Sequence, residues 1–270
     1  MVGHSTIHIM SQARNRKRIV GLIPAAGKGS RLAPFPAPKE LFPIGYQDYD
    51  TGGRIEKRPK VISQYLIENM LLAGMSEMFI IVGDSKHDIL RYYGDGSRFG
   101  TKVAYLYQER LTGMPGALNL AQPWLKDADV VFGMPDTIIE PKDAFQRLYA
   151  FHSNVSADLT LGLFQTNNPN KFGMVEFDAD QTVISTVDKP SKTDLDHMWG
   201  CACWSQPFSE LLNQFVKEHP YKEREIVLGD VFNAALDCKM KVKAMPFADG
   251  QYIDIGTSDE LDQALKKFHL

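Results

Sequence analysis

Blocks of apolar residues in the first half of the chain predict buried strands that alternate with helices. Four short apolar runs predict strands at 19–23, 78–82, 103–107 and 129–133. Apolar residues at helical spacing predict helices over 61–74, 84–93, 115–125 and 141–152. Strands that are apolar throughout and separated by helices predict a mostly parallel sheet with helices on both faces.

The second half changes character, because short strand patterns follow one another with few helical residues between them. These patterns lie at 159–164, 174–177 and 183–187, and helices return at 208–218, 228–238 and 258–268. We therefore predict one α/β domain over residues 19–270, with a small antiparallel addition to its parallel sheet.

Two segments fall outside this pattern. Residues 1–18 lack the apolar core of a secretory signal and end in a basic run at 14–18. A solvated, flexible leader is the simpler interpretation of this run, and a basic anchor or nucleic-acid arm is the alternative. The polar, glycine-rich segment 46–57 predicts a surface loop, either a tolerated insertion or a functional lid.

Composition narrows the class of protein without naming a function. The 270 residues are 44% hydrophobic and 23% charged, which excludes a disordered or collagen-like chain. The net charge of −3 gives no basic excess, so we expect no nucleic-acid partner. No apolar run reaches the roughly 18 residues that span a membrane, so we expect no membrane partner. The three cysteines form neither a closed disulfide set nor paired zinc clusters, which favours a reducing, cytoplasmic location.

A glycine-rich loop directly after the first strand carries the first candidate chemistry. Residues 21–34 have the sequence GLIPAAGKGSRLAP. The loop fails as a P-loop, because Gly29 follows Lys28 where Ser or Thr should stand. It also fails as a dinucleotide fingerprint, because Leu32 occupies the third glycine position.

The loop nevertheless favours an anion. Gly27 and Gly29 allow backbone N–H groups to approach phosphate oxygens closely. Arg31 can clamp two such oxygens at once, and Lys39 adds a second cation. A tight turn with solvated cations is the alternative.

The loop and the segment after it resemble the sugar-1-phosphate nucleotidyltransferases. The signature of that family is a glycine-rich loop with Gly-Thr/Ser-Arg-Leu/Met, followed by Pro-Lys and an apolar residue before Pro. This chain has GSRL at 29–32 and APKELFPI at 37–44. The Lys39-Glu40 pair is most similar to the glucose-1-phosphate thymidylyl- and uridylyltransferases. The resemblance extends from about 19 to 268 and implies the family's Rossmann-like nucleotide-diphospho-sugar transferase fold.

The resemblance also implies a nucleotide site. Its residues in this sequence are Ala25, Ala26, Gly27, Gly29, Gln108 and Gly113. The amide of Gln108 offers a donor and an acceptor, which suits the edge of uracil or thymine. A polar residue at the end of a strand is the alternative for Gln108.

The resemblance implies a magnesium site at Asp136, in Pro-Asp, and Asp254, in Asp-Ile-Gly-Thr. Two carboxylates together with phosphate oxygens suit the octahedral oxygen preference of Mg²⁺. A helix cap is the alternative for Asp136.

It further implies a sugar site whose residues are Gly173, Glu176, Lys189 and Gly200. Lys189 would hold the sugar phosphate, Glu176 the sugar hydroxyls, and Gly200 would leave room for the hexose. An amphipathic strand is the alternative for Glu176, and a surface lysine is the alternative for Lys189. Cys201 and Cys203 face the same side of a strand and are expected to be packing residues.

These assignments imply transfer of a nucleotidyl group to a sugar 1-phosphate, with Arg31, Lys39 and Lys189 as catalytic residues. UTP and dTTP both fit, glucose 1-phosphate is the first candidate sugar, and cytidylyl or guanylyl transfer stays open. A silent nucleotide-sugar sensor or regulatory subunit is the alternative, and retention of all the charged candidates argues against it. An NAD-dependent oxidoreductase is disfavoured by the missing third glycine. The oligomeric state is open, although family members commonly form dimers or tetramers.

Overall fold

Thirteen strands and seven helices form the regular structure of residues 17–220 and 226–268, which this computed structural model describes. The strands are β1 (Arg18–Pro24), β2 (Pro43–Asp50), β3 (Ile55–Val61), β4 (Glu77–Val82), β5 (Lys102–Tyr107), β6 (Ala128–Gly133), β7 (Thr137–Glu140), β8 (Leu159–Gln165), β9 (Gly173–Phe177), β10 (Val183–Asp188), β11 (His197–Trp204), β12 (Val242–Pro246) and β13 (Gln251–Asp254). The helices are α1 (Ile62–Leu72), α2 (His87–Tyr93), α3 (Gly113–Asn119), α4 (Ala144–Val155), α5 (Gln206–Glu218), α6 (Leu228–Asp237) and α7 (Ser258–Lys267).

Nine of the strands form one mixed sheet. Its centre consists of four parallel strands in the order β5, β4, β1, β6. Next to β6, β11 runs antiparallel and also pairs with β8, and β12 then lies parallel to β8. The antiparallel hairpin of β9 and β10 lies against the start of β11. The predicted parallel sheet with a small antiparallel addition is therefore confirmed.

Strands β1, β4 and β6 are almost entirely apolar because helices cover both faces of the sheet there. Successive side chains of a strand point to opposite faces. On β1, Val20 and Leu22 therefore belong to a cluster shared with α3, α5 and α6. Ile23 belongs to a second cluster, shared with α1, α2 and α4. Burial of both sets of apolar side chains stabilises the sheet that positions the loops at its end.

The prediction of a surface loop over 46–57 is wrong, because this segment forms most of the β2–β3 hairpin. Only the base of the hairpin is buried, and Ile44 packs there in a small cluster with α1 and α7. The outer part exposes both faces, so it lacks the apolar alternation that marks a strand. The glycines mark its turn, where the Asp50 carboxylate accepts hydrogen bonds from the N–H groups of Gly52 and Gly53 at 2.9 and 2.6 Å.

Element ends differ modestly from the prediction elsewhere. Strand β1 already includes Arg18, which was assigned to the leader, and residues 1–16 of that leader lie outside the described residues. Helix α2 begins at His87 instead of 84, and α3 ends at Asn119 instead of continuing to 125. The short strands β7, β12 and β13 were not predicted. Among the helices of the described residues, none combines the length and apolar content that crossing a membrane requires.

Candidate active site

The glycine loop leaves β1 at the carboxyl end of the parallel sheet. The N–H of Ala25 donates to the carbonyl oxygen of Ile81 at 2.7 Å, which fixes the start of the loop to β4. Gly29 has a φ of 65°, in the left-handed region that glycine adopts without steric cost. Within the described residues, the N–H groups of Gly27 and Lys28 donate no hydrogen bond. Two backbone donors are therefore free for an anion at this loop.

Lys39 and Asp136 form an ion pair at the edge of the same loop. Lys39 begins a short 3-10 turn, Lys39–Leu41, and Asp136 lies between β6 and β7. The ammonium of Lys39 donates to Oδ2 of Asp136, and both side chains are largely buried. Burial lowers the pKa of Lys39, but the negative charges of Asp136, Glu40 and Asp254 outweigh it and raise that pKa above its ordinary value. Lys39 is therefore a fixed cation at neutral pH.

Asp254 reaches this ion pair through a small two-stranded sheet. Strands β7 and β13 pair antiparallel, with Asp254 opposite Thr137, and the N–H of Ile255 donates to the carbonyl oxygen of Asp136 at 3.3 Å. Burial and the neighbouring Asp136 carboxylate raise the pKa of Asp254 to about 6. The N–H of Gly256 donates to Oδ1 of Asp254 at 2.8 Å and orients it. Two carboxylates therefore share one partly buried region.

Arg31 lies against the same region from the glycine loop. A Cβ atom on Gly256 would come within 2.9 Å of Nη2 of Arg31 and 3.2 Å of both carboxylate oxygens of Asp254. The missing side chain at Gly256 is what lets the guanidinium approach. The structure thus brings together four residues that the sequence assigned to phosphate and metal: Arg31, Lys39, Asp136 and Asp254.

The donor set of this region fits a hard divalent cation. Carboxylate oxygens are the protein ligands that Mg²⁺ prefers, and it is usually held by one or two of them together with substrate phosphates. Among the described residues, no group of three or more His, Cys, Asp or Glu could hold a metal without such help. Asp136 and Asp254 therefore suit a magnesium ion that arrives with a polyphosphate.

A cleft of about 350 Å³ opens beside the ion pair, between the glycine loop and α3. Five of the six predicted nucleotide residues line it: Ala26, Gly27, Gly29, Gln108 and Gly113. Ala25 does not line it, because its side chain packs in the cluster around α1. The Gln108 side chain is buried, and its Nε2 lies 3.5 Å from Oγ1 of Thr112. An apolar wall of Leu111, Met114 and Met134 faces the same space.

Lys189 lies at the end of β10, beside the start of β9. Asp188 is the strand partner of Gly173, and the N–H of Lys189 donates to the carbonyl oxygen of Phe172 at 2.9 Å. Lys189 has a φ of 44°, a region that residues other than glycine seldom adopt and that is enriched at functional sites. Its ammonium lies 3.8 Å from the Asp188 carboxylate and is exposed, so it is free to meet a ligand.

The structure gives two other predicted sugar residues a different environment. A Cβ on Gly200 would lie 2.5 Å from Cδ2 of Tyr252 and 2.9 Å from Cδ2 of Phe164, so two aromatic rings pack against this glycine. The absence of a side chain at Gly200 thus lets Tyr252, two residues before Asp254, pack in place. Glu176 is exposed and accepts a hydrogen bond from Oγ of Ser185 at 2.9 Å. Within the described residues, no contact joins Glu176 to the carboxylate region.

Contacts around α7 connect the Lys189 region to Asp254. Lys171 donates to Oε1 of Glu260 at 3.0 Å, and the hydroxyl of Thr257 donates to Oε2 of the same carboxylate at 2.8 Å. The rings of Phe172 and Tyr252 meet edge to face with centroids 6.0 Å apart. The segment next to Lys189 therefore contacts the elements that carry Asp254, whereas Asp136 lines the cleft.

Three further residues contribute to this arrangement, although no motif in the sequence indicates their contacts. The ring of Tyr252, two residues before Asp254, packs against Gly200. Glu40 and Lys86 form a buried ion pair directly behind Lys39. The hydrophobic pattern of a sequence cannot indicate a buried charged residue, because a buried and an exposed charged residue look the same in it.

Known proteins resemble this chain in sequence. Glucose-1-phosphate thymidylyltransferase of Streptomyces antibioticus is 29% identical over 179 residues, which are 64% of this chain and 46% of that protein. Mannose-1-phosphate guanylyltransferase of Mycobacterium tuberculosis is 26% identical over 254 residues, 90% of this chain and 62% of that protein. The chain thus spans about half the length of the first relative.

The fold is shared with solved structures. A crystal structure of UDP-glucose pyrophosphorylase in complex with UDP-glucose superposes with a TM-score of 0.76 at 18% identity, covering 93% of this chain and 98% of the other. At that identity the likeness establishes the fold alone. The family model described as nucleotidyl transferase matches residues 20–269. The chain therefore belongs to the nucleotidyl transferase family.

Proposed function

We propose that this protein transfers a nucleotidyl group from a nucleoside triphosphate to a sugar 1-phosphate and releases pyrophosphate. The observation that carries the proposal is the convergence of Arg31, Lys39, Asp136 and Asp254, of which Lys39 and Asp136 line the cleft. Two cations and two carboxylates beside free backbone donors suit crowded phosphates and their metal ion.

The reaction needs no protein nucleophile. An oxygen of the sugar phosphate attacks the α-phosphorus, a new P–O bond forms, and the bond from the α-phosphorus to the bridging oxygen breaks. Its electron pair leaves with pyrophosphate. Catalysis then consists of holding the two phosphates in line and neutralising their charge.

The cationic side chains divide this work by their positions. Gly27 and Lys28 line the cleft, and their free N–H groups would hold the departing pyrophosphate together with Arg31, which lies beside Asp254. Lys39 would exchange its contact with Asp136 for bridging phosphate oxygens. Lys189, exposed at the end of β10, would hold the attacking sugar phosphate.

Asp136 and Asp254 would hold Mg²⁺ once the triphosphate is bound. Two carboxylates are too few ligands for the ion, because no third acidic, histidine or cysteine side chain of the described residues completes the site, so phosphate oxygens would supply the others. Such an ion supplies neutralisation of charge on the phosphate oxygens. Replacing the Lys39 contact at Asp136 leaves that carboxylate free for the ion.

The substrates belong to this proposal as well. The buried amide of Gln108 supports UTP or dTTP, because it can pair with the edge of a pyrimidine. Glucose 1-phosphate is the first sugar to test. The three cysteines are free thiols and support a reducing, cytoplasmic setting.

The alternative is a silent member of the family that senses a nucleotide sugar. A matrix of the four nucleoside triphosphates and dTTP against several sugar 1-phosphates, with Mg²⁺ and release of pyrophosphate as the readout, separates the two. We expect one pyrimidine triphosphate and one sugar phosphate to dominate. Nucleotide binding without pyrophosphate release in any combination would favour the sensor.

A further inference from the structure

A buried ion pair lies directly behind the Lys39–Asp136 contact. The ammonium of Lys86 lies 2.9 and 2.7 Å from the two carboxylate oxygens of Glu40. Both side chains are about 2% exposed, and Glu40 immediately follows Lys39 in the chain. Few charged side chains in the described residues are so completely removed from solvent, so this pair requires a physical reason.

The ion pair connects two segments that belong to different parts of the chain, the turn that carries Lys39 and the connection between β4 and α2. Glu40 belongs to the turn Lys39–Leu41, which lies outside the sheet. Lys86 precedes α2 in the connection from β4, where a Cβ on Gly83 would lie 3.0 Å from the carbonyl oxygen of Ala26 in the glycine loop. The ion pair therefore fixes the turn of Lys39 against the loop that frames the cleft.

Stability alone is a poor explanation for such a pair. Desolvation offsets most of the attraction between buried charges, and apolar side chains of similar volume often stabilise a protein equally well. A bidentate, charge-assisted contact differs from apolar packing because it fixes direction. Charges also alternate in sign along the series Lys86, Glu40, Lys39 and Asp136, and the Glu40 and Asp136 charges both act on Lys39.

We infer that Glu40 and Lys86 are a positioning pair that aims the Lys39 ammonium at Asp136 and at the phosphate side of the cleft. Glu40 borders the cleft, but both of its oxygens are engaged by Lys86. The pair therefore acts through Lys39 and does not contact substrate. The inference rests on the proposed function for its effect on rate, and it also predicts a property of Lys39 that is measurable without any substrate.

The main variant replaces both partners, Glu40→Met with Lys86→Met, so that no unpaired charge is left buried. A matched control removes another ion pair, Lys60→Met with Glu68→Met, in which Lys60 is similarly buried but neither residue lines the cleft. Thermal unfolding measures the stability of both variants. Should the first fail to fold, Glu40→Gln with Lys86→Gln keeps a neutral hydrogen-bonded pair and takes its place.

The first readout is reductive methylation of Lys39, followed by mass spectrometry of its peptide. In the wild type the Lys39 side chain is 16% exposed and hydrogen-bonded, so its reaction is slow. We expect it to react several-fold faster in the Glu40/Lys86 variant and at the wild-type rate in the control. Unchanged labelling of Lys39 in a folded Glu40/Lys86 variant would overturn the inference.

The second readout is steady-state kinetics with the substrates that the wild type uses. We expect kcat of the Glu40/Lys86 variant to fall about ten- to a hundredfold, with a smaller change in the KM of the triphosphate. Lys86→Arg, which keeps a bidentate pair, should recover most of the rate. A folded Met variant with wild-type kcat would show that the pair contributes packing only.

The two readouts separate this inference from the proposed function. If the wild type releases no pyrophosphate with any substrate, the proposed function fails and the labelling of Lys39 alone decides the positioning role. If the wild type is active and the labelling does not change, the positioning role fails and the proposed function stands.

Discussion

Asp136 and Asp254 lie side by side because the backbone at Ile255 donates a hydrogen bond to the carbonyl oxygen of Asp136. The two residues are distant in the chain, and the pairing of β7 with β13 brings them together. The pKa of Asp254 is raised to about 6 by burial and by the Asp136 carboxylate. A region that holds two repelling carboxylates next to Lys39 and Arg31 is prepared for charged ligands.

Asparagine at either of these two positions should remove most of the activity and leave the fold intact. If both carboxylates hold one magnesium ion, the double variant Asp136→Asn/Asp254→Asn should lose little more than the worse single variant, because groups that act as a unit are not additive. Pyrophosphate release measures the loss, and thermal unfolding measures the fold. Losses that multiply in the double variant would argue against a shared ion.

Gln108→Ala should reduce the ratio of kcat/KM for the preferred triphosphate to kcat/KM for the other triphosphates. The amide is buried at the cleft, so its removal leaves the polar edge of the base without a partner, at a cost of about 1–3 kcal/mol. The measurement is kcat/KM for each triphosphate with one sugar phosphate. An equal loss for all of them would make Gln108 a structural residue.

Lys189→Ala and Arg31→Ala should have opposite effects on the two substrates. Lys189 is proposed to hold the sugar phosphate, and loss of a charge-assisted contact of about 1.5–3 kcal/mol corresponds to a roughly ten- to hundredfold weaker affinity. Arg31 should affect the triphosphate instead, because it lies beside Asp254 and Gly256. Calorimetry with Mg²⁺ measures each substrate separately.

This reciprocal pattern is demanding, since a general loss of stability would weaken both substrates in both variants. Equal weakening of triphosphate and sugar phosphate by Lys189→Ala would show that its assigned role is wrong.

Stability should fall as the pH drops below about 6.5, in part because of His152. This side chain is 2% exposed, with Nδ1 2.9 Å from Oγ1 of Thr160, and burial lowers its pKa to about 4. Asp129 opposes that shift and Lys17 adds to it. Between about pH 6.5 and pH 4 the unfolded chain binds a proton at His152 that the folded chain excludes, so the free energy of unfolding decreases by up to roughly 3 kcal/mol.

Urea unfolding at several pH values measures this loss, and His152→Gln isolates it from other titrating groups. The difference in the free energy of unfolding between wild type and variant should change between about pH 6.5 and pH 4 and level off below about pH 4. A difference that is constant with pH would assign the acid sensitivity to other residues.

The sequence predicted the central sheet well, and the physical reason is burial on both faces. Val20, Leu22 and Ile23 form one continuous apolar run because α3 covers one side of β1 and α1 the other. The β2–β3 hairpin escaped prediction for the opposite reason, since most of its side chains face solvent on both sides. Strands β7 and β13 have only four residues each, too few for a pattern.

Only those residues of the candidate site that lie in family motifs could be predicted from the sequence. Resemblance to the family indicated Arg31, Lys39, Asp136 and Asp254, and the structure brings them together. No motif could indicate that Tyr252 fills the space at Gly200, or that Lys86 pairs with Glu40. Those contacts depend on side chains that are distant in sequence and meet only after folding.

Transfer of the nucleotidyl group can be followed with a label on the α-phosphate of the triphosphate. UTP or dTTP labelled at the α-phosphorus is incubated with glucose 1-phosphate, Mg²⁺ and the protein, and the products are separated. We predict that the label moves into a nucleotide sugar with one pyrophosphate released per transfer, and that Asp136→Asn and Asp254→Asn each remove most of both. Label that stays in the triphosphate with every sugar phosphate tested, or that appears only in a nucleoside monophosphate, would contradict the account.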